Sequence, residues 1–352
     1  MQENNVTLLE PAITRKQVLN PKTDIKKKVF VYTVISSIAV IMLMFVLSLM
    51  LNDNSAQDTQ ASTVENVTLV NDLSELKSYK GNALGLYKNN SNSPSINQKI
   101  LAQRQLQLIK PLNNNGLPST SGKIGFLYFG DPFTQGEFTS FEELIKDNNL
   151  VNQNLVLVDG ADVDIDTTYW LKSQFAWENL KKKVESKYIT EKQIQIIWIN
   201  LSNLESTGDT NSDNKKFADD LQKITETALI KYPNTRVIYL SSPRYMGYST
   251  EPAYTEPISY ESAFAVRELI NRQENGELNF RENITSLQSD TVLLWGPYIW
   301  NNSKVKDSAY SITRESLMSD GLIFTAPGRQ DYILDLFIFW SENEFTQTWF
   351  GV

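Results

Sequence analysis

Five short apolar runs recur after residue 120: Lys123–Phe129 (KIGFLYF), Asn154–Val158 (NLVLV), Ile194–Ile199 (IQIIWI), Thr235–Ser241 (TRVIYLS) and Thr291–Trp295 (TVLLW). Each is nearly continuous in apolar residues and short, the pattern of strands covered on both faces. Between them lie amphipathic helical patterns at Phe141–Asn149, Tyr169–Lys187, Asn214–Lys231 and Tyr260–Asn275. A last helix, Pro327–Glu344, opens on a proline, which the first helical turn accepts. An earlier one, Gln98–Leu108, is closed by Pro111 and the turn at Asn113–Gly116. Strands that alternate with helices imply a parallel sheet with helices on both sides. The expected fold class is therefore α/β, a three-layer αβα sandwich around a five-stranded parallel sheet.

The N-terminal pattern is different. Residues 1–28 are polar and carry Arg15, Lys16, Lys22 and Lys26 to Lys28, whereas Val29–Leu51 contains no charge. A bilayer core takes ~20 apolar residues as a helix. The polar leader and the length of the run argue for a retained signal anchor over a cleaved signal peptide. Only acidic charges follow up to Leu76, so the positive-inside rule puts the N-terminus in the cytoplasm. The expected organisation is a cytoplasmic segment at 1–28, a transmembrane anchor at 29–51, a flexible Asn/Ser/Thr-rich linker at 52–77 and an extracytoplasmic domain at 78–352.

Two absences narrow the chemistry. The 352 residues include no histidine and no cysteine, which excludes Ser-His and Cys-His catalysis, His-ligated or Cys-ligated metals and disulfides. A net charge of -8, with no basic-aromatic cluster beyond the N-terminus, argues against nucleic acid as a partner. No cofactor is implied.

In a doubly wound sheet, ligands sit beyond the carboxyl ends of the strands. The turns there are polar or glycine-bearing: Gly130-Asp131, Asp159-Gly160, Asn200 to Asn203, Ser241-Ser242 and Gly296, with Asp320-Gly321 before the last helix. Singly, such residues serve turns; together they outline a candidate pocket. The chain resembles the SGNH-hydrolase fold and, within it, a family of bacterial secreted proteins. The strings that carry the resemblance include YKGNALGLY (79–87), LVLVDGA (155–161), YLSSPRYMGY (239–248), YESAFAV (260–266), WGPYIW (295–300) and PGRQ (327–330), and together they span 78–352. The resemblance implies an SGNH-hydrolase/flavodoxin-like sheet and a Ser-His-Asp site at the strand ends.

The family's serine string, G-x-S-N-T-like, is Gly130-Asp131-Pro132-Phe133-Thr134 here, with Pro132 at the serine. Its D-G-T-H-P-like string is Asp320-Gly321-Leu322-Ile323-Phe324, so Ile323 replaces the histidine and Asp320 survives. The expectation is a catalytically silent, membrane-anchored envelope protein that binds a glycan or partner protein or acts as a scaffold. Its pocket candidates are Asp131, Thr134, Asp159, Gly160, Asn200, Tyr245 and Trp300. Gly160 and Asn200 or Asn203 stand at positions matching oxyanion-hole blocks, and Thr134 and Ser241-Ser242 offer hydroxyls.

The alternative is a carbohydrate-active esterase or hydrolase using a non-histidine base or a carboxylate pair drawn from Asp131, Glu137, Asp159, Glu261 and Asp320. Lys123, at the start of its strand, is at the wrong end to be that base. Tyr245, Tyr248, Trp295, Tyr298 and Trp300 could supply aromatic faces for a sugar; alternatively Trp198 and Trp295 fill the core and the aspartates serve turns and caps. Glu261 is expected to be half-buried and paired with Arg244 or Arg329. The acidic string at 162–166 lacks the glycine and distal glutamate of an EF-hand.

Overall fold

A computed structural model describes residues 78–130, 134, 136–162, 167–251, 254, 256–278, 291–300 and 313–351. The predicted anchor at 29–51, the linker at 52–77, Asp131, Pro132 and positions 163–166 of the acidic string lie outside the described residues.

All five expected strands form: β3 Ile124–Gly130, β4 Leu155–Asp159, β5 Ile194–Asn200, β6 Val237–Ser241 and β7 Val292–Trp295. They make one all-parallel sheet in the order β4-β3-β5-β6-β7. A small antiparallel hairpin, β1 Ser78–Tyr79 with β2 Asn82–Ala83, precedes it. The helices are α1 Ile96–Leu106, α2 Glu137–Ile145, α3 Thr167–Lys172, α4 Gln174–Ser186, α5 Thr210–Lys231, α6 Glu256–Glu274, α7 Ala326–Glu342 and α8 Gln347–Phe350.

Alternate strand residues point to opposite faces, and the sheet divides the core accordingly. Leu127, Phe129, Ile197, Ile199, Ile238 and Leu240 join α4, α5 and α6 through Trp177, Leu221 and Phe264. Phe126, Tyr128, Ile196, Trp198, Val237 and Tyr239 join α2, α7 and α8 through Phe138, Phe141, Trp340 and Trp349. This is a three-layer αβα sandwich. Every residue of β3 and β5 is buried, which is why neither strand shows a polar face in the sequence.

An edge strand leaves backbone groups unpaired, and β7 has its edge closed by side chains. Leu293 N donates to Gln273 Oε1 (2.8 Å), and Leu293 O accepts from Gln98 Nε2 (2.7 Å). Gln273 Nε2 donates to Thr291 O (2.8 Å), and Trp295 N to the Tyr87 hydroxyl (3.2 Å).

The helices differ from expectation at their ends. α2 starts at Glu137, ahead of Phe141, because Gly136 takes a left-handed φ of 82° and turns the chain directly into the helix. The single helix expected over Tyr169–Lys187 is two. Ser173 is extended (φ -111°, ψ 118°), and its hydroxyl caps α4 by accepting from Phe175 N at 3.2 Å.

Candidate functional site

β3 lies beside β5, and the chain leaves them to opposite faces: α2 packs on one side of the sheet and α5 on the other. That arrangement opens a crevice at their carboxyl ends, the usual ligand position in such sheets. Thr134, Asn200, Ser242, Arg244 and Tyr332 converge there from four separate segments. The cavity they enclose measures about 20 Å³, room for roughly one water molecule.

An ion pair fills the crevice. Arg244 Nη2 donates to Glu137 Oε1 at 2.8 Å, with side-chain exposures of 8% and 4%. Arg244 Nη1 also donates to Leu322 O (2.7 Å), and its guanidinium lies 4.0 Å from the Phe324 ring centre. Through Arg244 the 320–324 turn is therefore tied to the crevice that holds Thr134. Burial pushes the Glu137 carboxyl above the usual glutamate range, while the charges of Arg244 and Arg329 oppose that rise. Glu137 Oε2 and Asn200 Oδ1 are buried without a hydrogen-bond partner. Burial also raises the Tyr128 and Tyr332 phenols well above their ordinary value.

The hydroxyls and carboxylates of the rim have structural partners. Ser241 Oγ accepts from Trp198 Nε1 (2.9 Å) and Ser242 Oγ from Trp300 Nε1 (3.1 Å). Asp159 accepts from Thr139 Oγ1 (2.7 Å) and Ala161 N (3.0 Å), and borders an open groove with Gly136 and Lys183. Asp320 Oδ1 accepts the backbone N–H groups of Leu322 (2.8 Å) and Ile323 (3.0 Å), so the carboxylate holds its own turn together. The Ile323 side chain is 44% exposed. Gly160 N donates to Tyr128 O at 2.7 Å, which commits the amide expected at an oxyanion hole. Lys123 pairs with Leu112 ahead of β3, at the end opposite the rim.

Two expected features take a different form. Glu261 does not pair with Arg244, which Glu137 engages instead. It is fully buried, accepts from Asn203 Nδ2 at 3.2 Å, and leaves Oε1 without a partner. Burial, reinforced by Asp213, raises its pKa while the polar side chains of Ser206 and Asn203 oppose the rise. Trp300 is 1% exposed and Tyr245 6%, and neither lines the crevice cavity. The Trp300 indole N–H reaches Ser242 and Pro243, its ring meets Tyr245, Tyr260 and Tyr298, and the Tyr245 hydroxyl donates to Glu256 (2.7 Å). Of the acidic string, Asp162 accepts from Asn179 (2.8 Å) and lies 3.9 Å from Lys183. Among the described residues no group of three acidic side chains is placed to hold a metal ion.

Arg244 and Tyr332 are the crevice residues that sequence reasoning misses as pocket lining. Arg244 follows the Ser241-Ser242 strand end, which is a usable signal; Tyr332 lies within a helix and gives none. No family model matches this chain, and no curated protein matches it.

Proposed function

We propose that this chain is a catalytically silent, SGNH-hydrolase-like protein of a cell envelope, anchored in a membrane by residues 29–51. It acts as a binding or scaffold module toward an envelope glycan or a partner protein. The observation that carries the reading is the Glu137–Arg244 pair, which occupies the switch-point crevice and leaves about 20 Å³ beside Thr134 and Ser242. An acyl group does not fit in that space, and the Ser241 and Ser242 hydroxyls already serve buried indoles.

Energetics point the same way. Losing the serine or the histidine of a serine hydrolase costs on the order of 10⁶ in kcat, about as much as losing the whole triad. A surviving oxyanion hole and binding leave only ~10³–10⁴ over water, and here the Gly160 amide is committed to Tyr128 O. The test is hydrolysis of acetyl and short acyl esters by the full chain in non-ionic detergent, run beside Thr134→Val and Ser242→Ala. The expected result is one common background rate. Turnover by the parent that either substitution abolishes would establish an esterase with a non-histidine base and overturn the reading.

A further inference from the structure

A larger cavity than that at the crevice lies elsewhere on the molecule. It lies beyond the carboxyl end of the edge strand β7, against the last turn of α7, and measures about 320 Å³. That is the lower end of the range for small-molecule sites, roughly 300–1,000 Å³. Trp295 and Tyr298 form a corner in its wall, their rings 5.7 Å apart at 89°, and Phe339 faces them from α7. These aromatics do not enter the crevice chemistry.

The electrical character of the lining is one-sided. Asp335, Glu342 and Glu344 contribute carboxylates, and among the described lining residues there is no lysine or arginine. The 17-residue helix α7 ends here with no basic residue in its last turn, so its macrodipole adds negative potential at the same place. Aromatic faces beside carboxylates at a helix C-terminus form an environment for a cation. The chain already seats one at the pocket's edge: Lys99 Nζ lies 2.9 Å from Glu344 Oε1 and 6.0 Å from the Phe345 ring centre.

We propose that this pocket binds a small ammonium-bearing molecule, up to about the size of an amino sugar, with its charge held by Glu342 and Glu344 against the aromatic wall. Lys99 is then the internal competitor for that position. The inference stands on this pocket alone and does not depend on the silence of the crevice.

The test is titration of the full chain in non-ionic detergent with choline and with its uncharged isostere 3,3-dimethylbutan-1-ol, read by tryptophan fluorescence and calorimetry. Choline should bind saturably, more weakly as salt is added, and about tenfold more tightly than the isostere. Glu342→Gln should weaken choline several-fold, and Lys99→Met, a partly exposed position, should strengthen it. Glucosamine against glucose forms the second arm. A tighter response to choline marks a methylated headgroup as the source, and a tighter response to glucosamine marks an amino sugar. Equal binding of charged and uncharged partners, or no saturable binding of any cation to the parent and Lys99→Met, overturns the proposal.

Discussion

Replacing Arg244 by methionine tests whether the crevice is held by its ion pair. The substitution keeps most of the side-chain volume and removes the positive charge beside Glu137 together with the hydrogen bond to Leu322 O. Breaking a buried pair from one side costs about 3–5 kcal/mol, because the remaining charge stays buried without compensation. For a domain of this size that is a fall of about 6–20 °C in Tm. The pH dependence separates this cause from simple loss of packing. Folded Glu137 keeps its proton above the ordinary glutamate value of 4.5, and Arg244 is the largest opposing influence. Without Arg244 the folded value rises further. A raised carboxyl adds stability that is fully present below 4.5 and is lost as pH rises through the folded value. The Arg244→Met deficit should therefore be greatest near neutral pH and shrink on acidification. Thermal melts followed by circular dichroism across that window measure it. Glu137→Leu combined with Arg244→Met removes both charges and should recover about half of the loss or more. A single variant that melts like its parent, or a deficit that grows in acid, would refute the electrostatic account.

Three other outcomes can be checked by the same melts. Gly321→Val should destabilise strongly: φ is +70° and an added Cβ would stand 1.9 Å from Tyr248 O, so the backbone strain of about 1–3 kcal/mol is compounded by a clash. Gln273→Leu removes the partners of Leu293 N and Thr291 O, at about 1–3 kcal/mol for each buried group left unpaired. Hydrogen exchange at the Leu293 amide should accelerate with it. Glu261→Gln should stabilise at neutral pH and lose that advantage in acid. Glutamine mimics the protonated carboxyl whose raised pKa makes the parent lose stability as pH rises.

The strands were legible because both faces of the sheet are covered. A run such as Ile194–Ile199 then has no polar alternation to confuse with a helix, and its flanking turns fix its length. The strand order was not legible, because all five runs have the same composition and nothing local distinguishes a central partner from an edge. The break at Ser173 was hidden inside a continuous amphipathic pattern, and only the cap to Phe175 reveals it. The crevice was partly legible: Thr134, Asn200 and Ser242 follow strand ends and do meet there. Its ion pair was not, since Arg244 and Glu137 are 107 residues apart and either had several plausible partners in sequence. Trp300 and Tyr245 illustrate a further limit. An aromatic just past a strand end has the same sequence signature whether it walls a pocket or supports its floor, and these two are buried beneath the rim.

The two sites divide the molecule in a way that follows from the sheet. At a switch point the backbone ends of β3 and β5 cannot be covered by apolar side chains alone, since buried polar groups need partners. The crevice therefore has to be filled with polar atoms, and Glu137, Arg244 and Asn200 do so at the cost of two unpaired buried oxygens. The edge beyond β7 carries no such demand. Gln98, Gln273 and Tyr87 already pair its backbone, and the Trp295–Tyr298 corner lines a cavity beyond it. On the proposed reading, binding falls where the scaffold needs nothing more, and rigidity falls at the switch point. Substitutions at Glu342 should accordingly change ligand affinity with little effect on Tm, while those at Arg244 or Glu137 should do the reverse.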